Sequence, residues 1–137
     1  MGDIGFTSKE LDVVEVPGGN IVKLLKTTDS NFRGFGEAYF SYIDIGVVKA
    51  WKKHLSMNLF LTVPQGKIKF VFFDEITNTF ADIVLSFEDQ RAIIVKPNVW
   101  FGFKGLTRCN CVLNIADILH SENEVQRKQK CELNYNW

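Results

Sequence analysis

The sequence is poor in the residues that bind metals and form disulfides. It contains two histidines and three cysteines in 137 residues. Where a short His-x-His metal motif would stand, the chain reads Lys52-Lys53-His54, and a protonated lysine repels a metal ion. Cys109 and Cys111 flank a single residue, too close for a usual disulfide. The sequence therefore predicts no metal cofactor, and reduced thiols in a cytoplasmic protein.

The chain also lacks an excess of charge and a long apolar run. Sixteen basic side chains balance sixteen acidic ones, so no overall positive field attracts nucleic acid or an anionic membrane. No apolar run approaches the ~20 residues of a membrane span, and residues 1–10 carry no export signal. We expect no nucleic-acid partner and no membrane partner, and any anion must be bound by a local cluster.

Short apolar or alternating segments, separated by turn residues, make up most of the chain. Nine strands are predicted, at residues 11–16, 21–26, 36–44, 47–51, 58–63, 68–74, 80–87, 92–95 and 108–115. They indicate an all-β sandwich or closed barrel in one domain, 1–137, with its core at about 11–120. The segment 68–74 is apolar on both faces and should be central. Ser121 with Glu124 three residues later predicts a short helix or irregular tail over 121–137.

The segment 46–54 would place a cation on each face of a strand. In a regular strand, Lys49 and Trp51 face one side, and Lys52 and His54 face the other. Whichever side points inward buries a cation, which is costly without a partner. The pattern indicates a site for an anionic or polar ligand, or else an edge strand with solvated lysines.

General acid–base chemistry is the chemistry for which the sequence offers candidates. It contains no Gly-x-Ser-x-Gly elbow and no phosphate-binding glycine loop. The charges of Lys52 and Lys53 should lower the pKa of His54 and favour the neutral imidazole that accepts a proton. The alternative is a partly exposed histidine at a strand end. Trp100 could stack on a sugar or base at the barrel mouth, or pack in the core.

Four motifs occur in an order and spacing that resemble a known family. They are Gly46-Val47-Val48-Lys49-Ala50-Trp51, Val63-Pro64-Gln65-Gly66-Lys67, Phe73-Asp74 and Lys96-Pro97-Asn98-Val99-Trp100-Phe101-Gly102-Phe103. Over about residues 11–127 the chain resembles the dTDP-4-dehydrorhamnose 3,5-epimerase family, in particular its shorter relatives found with surface-polysaccharide genes. The resemblance implies a cupin-type jelly roll (double-stranded β-helix), usually a homodimer, that acts on a nucleotide-linked 4-keto-6-deoxy sugar without a cofactor.

The resemblance also implies a reaction, proton abstraction next to a ketone, but the family's reactive residues are replaced. Its histidine base falls on Lys52, its enolate-stabilising lysine near Leu59, its tyrosine near Leu113 or Asn114, its diphosphate-binding arginine on Gly18 and its strand arginine on Lys49. These departures argue against the standard 3,5-epimerase reaction. We expect His54, two residues beyond Lys52 on the same face, to serve as the base, and Tyr39 as the proton donor.

The expected site therefore has two sets of residues. The catalytic set is His54, Tyr39 and Lys52, and the substrate-binding set is Lys49, Trp51, Asn58, Trp100 and Asn114. An epimerase or isomerase with a rearranged acid–base set would place His54 within hydrogen-bond reach of Tyr39, Lys49 or Lys52. A binding module that has lost the chemistry would keep the pocket without that pair, and a scaffolding protein would fill the barrel with phenylalanine.

Overall fold

The computed structural model describes residues 4–137 and contains two five-stranded sheets whose inner faces share one core. The strands are β1 Phe6–Glu10, β2 Asp12–Val14, β3 Ile21–Lys23, β4 Glu37–Asp44, β5 Val48–His54, β6 Leu59–Gln65, β7 Lys67–Asp74, β8 Thr79–Ser86, β9 Arg91–Val95, β10 Trp100–Gly105, β11 Cys109–Ala116 and β12 Val125–Arg127. The first sheet has the order β1-β9-β6-β11-β4 and the second β12-β5-β10-β7-β8, while β2 and β3 form a hairpin.

This antiparallel arrangement is the all-β jelly roll that the resemblance implies. Within residues 4–137 the helical segments are two 3-10 turns, Phe87–Asp89 and Lys130–Glu132. The same residues include no helix that is long and apolar enough to cross a membrane.

The core lies between the two sheets and is formed by alternate residues of their strands. Phe70 and Phe72 of β7 are completely buried and meet Leu61 of β6 from the opposite sheet. The ring of Phe6 stacks on that of Phe72 with 3.9 Å between centroids. Because β7 is apolar on both faces, each face is covered: Phe70 and Phe72 pack in this core, and Val71 and Phe73 pack in a second cluster on the outer face. Within the second sheet, β7 lies between β10 and β8.

The strands predicted from alternation are all present, with ends shifted by a few residues. Two further strands, β1 and β12, were not predicted, and β1 lies before the expected start of the core. β1 is short and polar at several positions, and its pairing with β9 makes it a strand. A strand was also expected after the turn at Pro97, without stated bounds, and β10 is that strand.

Of the short helix or irregular tail expected over 121–137, the structure has an irregular tail that contains β12 and the 3-10 turn Lys130–Glu132. Ser121 accepts a hydrogen bond from the Glu124 amide at 2.9 Å and so closes a turn, after which β12 pairs with β5. The Glu124 carboxylate accepts hydrogen bonds from the amides of Ser56 and Met57, at 2.6 and 2.7 Å. The spacing of serine and glutamate therefore marks a turn tied to another loop.

β5 contains a bulge that changes which of its residues face inward. Lys52 lies opposite Phe101 of β10, but the next pair joins Ala50 to Gly102, so Trp51 is an extra residue. Since Lys49 pairs with Phe103, both Lys49 and Lys52 face the inside. The expectation that Lys49 and Trp51 share a face is wrong, because the bulge shifts the alternation by one residue.

Candidate active site

A cavity of about 350 Å³ opens between the two sheets near β4 and β12. One wall, from the first sheet, is made by Tyr39, Ser41, Leu59 and Asn114. The other, from the second sheet and the residue after β12, is made by Lys49, Ala50, Trp51, Lys52, Phe101, Gly102, Phe103, Arg127 and Lys128. The volume is in the range of small-molecule sites. The expectation of a barrel filled by phenylalanine, without a pocket, is therefore wrong.

The cavity is lined by several basic side chains and, among residues 4–137, by no aspartate or glutamate. Lys49 donates a hydrogen bond from Nζ to the backbone oxygen of Tyr42 at 2.7 Å. Arg127 donates from Nη1 to Oε2 of Glu122 at 3.0 Å, on the surface. The side chain of Lys52 forms no hydrogen bond or ion pair with another residue of the described chain. Such a set of positive side chains in one concave surface suits an anionic ligand.

Lys52 combines a position in the cavity with an altered proton affinity. Burial lowers the pKa of its ammonium group, and the nearby charges of Arg127 and Lys49 lower this pKa further. A larger fraction of the Lys52 side chain is therefore neutral than for a lysine in water. A neutral amine in a cavity can accept a proton from a bound molecule.

The opposite wall offers a proton donor and an amide. Burial, and then the charge of Glu37, raise the pKa of the Tyr39 phenol, so its hydroxyl group keeps its proton. Tyr39 pairs across the sheet with Asn114. Asn114 donates from Nδ2 to the hydroxyl of Ser41 at 3.0 Å, which fixes the orientation of its amide. Tyr39 and Lys52 therefore belong to different sheets and face the same space.

His54 lies on the same face of β5 as Lys52 but does not line the cavity. Its side chain is 4% exposed and its ring packs beside Phe101, with 6.1 Å between ring centroids. Burial and the charge of Lys52 lower its pKa to about 4. Neither ring nitrogen has a hydrogen-bond partner among residues 4–137. The expected hydrogen bond to Tyr39, Lys49 or Lys52 is therefore absent.

The remaining expected site residues lie at the back of the cavity or outside it. The backbone of Trp51 borders the cavity, but its indole packs on the outer face of the sheet. Trp100 lies in the same outer cluster and donates from Nε1 to Glu75 at 3.1 Å. Asn58 donates from Nδ2 to Asp117 at 2.8 Å, beside a different, smaller pocket.

Arg127 and Ser41 are cavity residues that the sequence did not reveal. Arg127 enters the site because β12 pairs with β5 and places Arg127 opposite Lys52. A strand of three residues is too short to show a period-two pattern, so no local signal marks it. Ser41 could have been found from the alternation of β4, which places it on the same face as Tyr39.

No metal site is formed by the described part of the chain. Among residues 4–137, no three histidine, cysteine, aspartate or glutamate side chains come together in a group that could hold an ion. A jelly roll with a cavity between its two sheets defines the class of the protein as a cupin-type fold.

Solved structures with this fold include enzymes of nucleotide-sugar chemistry. A dTDP sugar isomerase from Desulfovibrio desulfuricans is 30% identical, with a TM-score of 0.88 over 97% of this chain and 90% of the other. A dTDP-4-dehydrorhamnose 3,5-epimerase from Bacillus anthracis, with TDP and pyrophosphate bound, is 17% identical, with a TM-score of 0.86 over 100% and 87%. A variant of the 3,4-ketoisomerase QdtA from Thermoanaerobacterium thermosaccharolyticum, in complex with TDP-4-keto-6-deoxyglucose, is 15% identical, with a TM-score of 0.80 over 90% and 88%.

Neither a protein-family model nor a curated protein sequence matches the chain. The identity and coverage shared with the Desulfovibrio isomerase nevertheless define the family. The chain belongs to the dTDP sugar isomerases that resemble dTDP-4-dehydrorhamnose 3,5-epimerase.

Proposed function

We propose that this protein is an epimerase or isomerase that acts on a dTDP-4-keto-6-deoxy sugar by moving a proton next to the ketone. The observation that carries the proposal is the placement of Lys52, a half-buried amine with no side-chain hydrogen bond or ion pair among residues 4–137, in a cavity opposite the Tyr39 phenol. Family membership supports the substrate class, and the placement of Lys52 and Tyr39 on opposite walls supports their role as an acid–base pair.

The cations of the cavity suit the diphosphate of such a substrate. Within residues 4–137, the side chain of Lys49 bonds one backbone oxygen and that of Arg127 bonds one surface carboxylate. A diphosphate can replace these partners with stronger charge-assisted hydrogen bonds. The substrate would thereby be anchored with its sugar between the two walls.

The proton transfer would use one group from each wall. The neutral Nζ of Lys52 takes the proton from the carbon beside the ketone, and the electron pair moves to the ketone oxygen to form an enolate. The resulting Lys52 ammonium and the nearby Lys49 stabilise that negative charge. The Tyr39 hydroxyl then donates its proton to the opposite face of the carbon, which inverts its configuration, and solvent returns the protons to their starting groups.

We assign proton abstraction to Lys52 rather than to His54, because Lys52 lines the cavity and His54 does not. With a pKa of about 4, the imidazole of His54 is neutral at physiological pH and adds no positive charge beside Lys52. We propose that His54 packs against Phe101 outside the cavity and does not touch the substrate.

Hydrogen exchange tests the proposal. The protein is incubated in deuterium oxide with dTDP-4-keto-6-deoxyglucose, and the C3 and C5 positions of the sugar are followed by NMR. We expect deuterium at one or both carbons, lost in Lys52→Ala and retained in His54→Asn. Exchange that survives in Lys52→Ala but not in His54→Asn would transfer the role of base to His54.

A binding module without catalysis is the second candidate. It is favoured by the absence of a hydrogen bond between His54 and any cavity residue in the described chain. Under this alternative, calorimetry would detect binding of the sugar nucleotide, while the NMR experiment would show no deuterium at either carbon.

We further propose that the protein works as a cytoplasmic homodimer in surface-polysaccharide synthesis. The outer face of the first sheet exposes the rings of Phe40 and Tyr42, by 57% and 65%, and such a patch suits contact with a second copy. Three free cysteines, two of them exposed, suit a reducing compartment. Light scattering should give twice the mass of the monomer, and Phe40→Asp should lower it to that of the monomer.

A further inference from the structure

An aromatic cluster lies directly behind the cation cavity, on the outer face of the second sheet. Its buried members are Trp51, Val71, Phe73 and Trp100, and its partly buried members include Phe80, Leu133, Tyr135 and Trp137. Trp51 is the extra residue of the β5 bulge, between Lys49 and Lys52. The cluster therefore packs on the back of the strand segment whose front carries both cavity lysines.

The bulged residue obtains its backbone partners from the segment 128–137, which follows β12. The amide of Trp51 donates to the carbonyl of Lys128 at 2.9 Å, and the carbonyl of Trp51 accepts from the amide of Lys128 at 3.1 Å. The indole Nε1 of Trp51 donates to the carbonyl of Lys130 at 3.3 Å. Because Trp51 has no pairing partner in β10, these bonds satisfy its backbone groups.

Two aromatic residues near the end of that segment hold it against the sheet. The rings of Trp137 and Tyr135 lie 5.2 and 6.4 Å from that of Trp51. The Tyr135 hydroxyl donates to Asp82 of β8 at 2.8 Å, and Lys104 of β10 donates to the carbonyl of Trp137 at 3.4 Å. The segment is thus fixed at several points across the sheet.

We propose that Tyr135 and Trp137 are positioning residues for the cavity: they cover Trp51 and thereby hold the bulge that turns both Lys49 and Lys52 inward. This inference deepens the proposed function and rests on it for the identity of the ligand. Without the covering rings, the bulge loses its outer support, and the alternation of the strand can return to a register in which the two lysines point to opposite faces.

The test compares two substitutions of Trp137 with a matched substitution elsewhere. Trp137→Ala removes the ring, Trp137→Phe keeps an aromatic ring in place, and Leu11→Ala removes a buried apolar side chain beneath the hairpin on the other sheet. Each variant is titrated with TDP by calorimetry, its melting temperature is measured, and the Lys52 amine is followed by NMR through a pH titration.

We expect Trp137→Ala to weaken TDP binding about tenfold or more, and Trp137→Phe to stay within about threefold of the wild type. Leu11→Ala should lower the melting temperature while changing the dissociation constant less than about twofold. The pKa of Lys52 should rise in Trp137→Ala, since a displaced amine is less buried and leaves the charges of Arg127 and Lys49. A general loss of stability would not produce that rise in a folded variant.

A folded Trp137→Ala that binds TDP as tightly as the wild type, with an unchanged Lys52 titration, would overturn the inference. If the wild type itself does not bind TDP, the proposed function fails, and the Lys52 titration alone still decides the positioning role. If Trp137→Ala does not fold, the same measurements on Tyr135→Ala, which keeps Trp137, decide it in the same way.

Discussion

Lys52 and Lys53 are neighbours in β5 that face opposite sides of the second sheet. Lys52 lines the cavity. Lys53 lies on the outer face, where its Nζ is 2.8 Å from Oε1 of Glu75 and 5.1 Å from the centroid of the Trp100 ring. Two identical side chains, adjacent in the chain, therefore lie in different environments. A substitution of Lys53 is a matched control for the same substitution of Lys52.

The first prediction uses this pair. Lys52→Ala should lower the rate of deuterium exchange into a dTDP-4-keto-6-deoxy sugar by roughly 10²–10⁴-fold, the usual contribution of a positioned acid–base group. Lys53→Ala removes the same type of side chain from the outer face and should leave the rate within about threefold of the wild type. NMR of the sugar measures both rates, and an equal loss in the two variants would mean that only net charge matters.

The second prediction concerns the proton donor. Tyr39→Phe should slow epimerisation by at least about 10²-fold while exchange of the substrate proton with solvent continues, because the base is still present. Tyr42→Phe makes the same chemical change on the outer face of β4 and serves as the control. Product formation and deuterium incorporation are followed in one NMR experiment, and equal loss of both in Tyr39→Phe would rule out a role limited to donation.

The third prediction is a pH dependence of catalysis. The rate should rise with pH as Lys52 loses its proton, in a range below the ordinary pKa of lysine, and fall at high pH as Tyr39 ionises. Since the charge of Arg127 helps to lower the pKa of Lys52, Arg127→Met should move the rising limb to higher pH. A rising limb that stays in place in Arg127→Met, or one that disappears in His54→Asn, would contradict the assignment.

The fourth prediction is a pH dependence of stability that arises from His54. Its pKa is lowered from 6.5 to about 4 in the folded protein, so between these values the unfolded chain binds a proton that the folded protein does not. The free energy of unfolding should therefore fall as pH drops from 6.5 to 4, by up to about 3 kcal/mol. Denaturant titrations of the wild type and His54→Leu measure it, and parallel curves would show that His54 contributes nothing.

The fold could be predicted from the sequence because its signals are local and repeated. The alternating strands and the apolar segment at β7 follow from side-chain periodicity, and the ordered motifs indicated the family. The short strands β1 and β12 could not be predicted this way, because each has few residues and becomes a strand only by pairing with β9 or β5.

The amino-acid sequence by itself determined the class of the protein, an all-β domain with cations on one strand. It also showed a family resemblance in which a lysine stands at the position of the family's histidine base. Only the tertiary structure decided which of those residues meet. A bulge placed Lys49 beside Lys52, and strand pairing brought Arg127 into the cavity, while burial left His54 outside it. Each of these outcomes depends on partners distant in the chain, which no local pattern specifies.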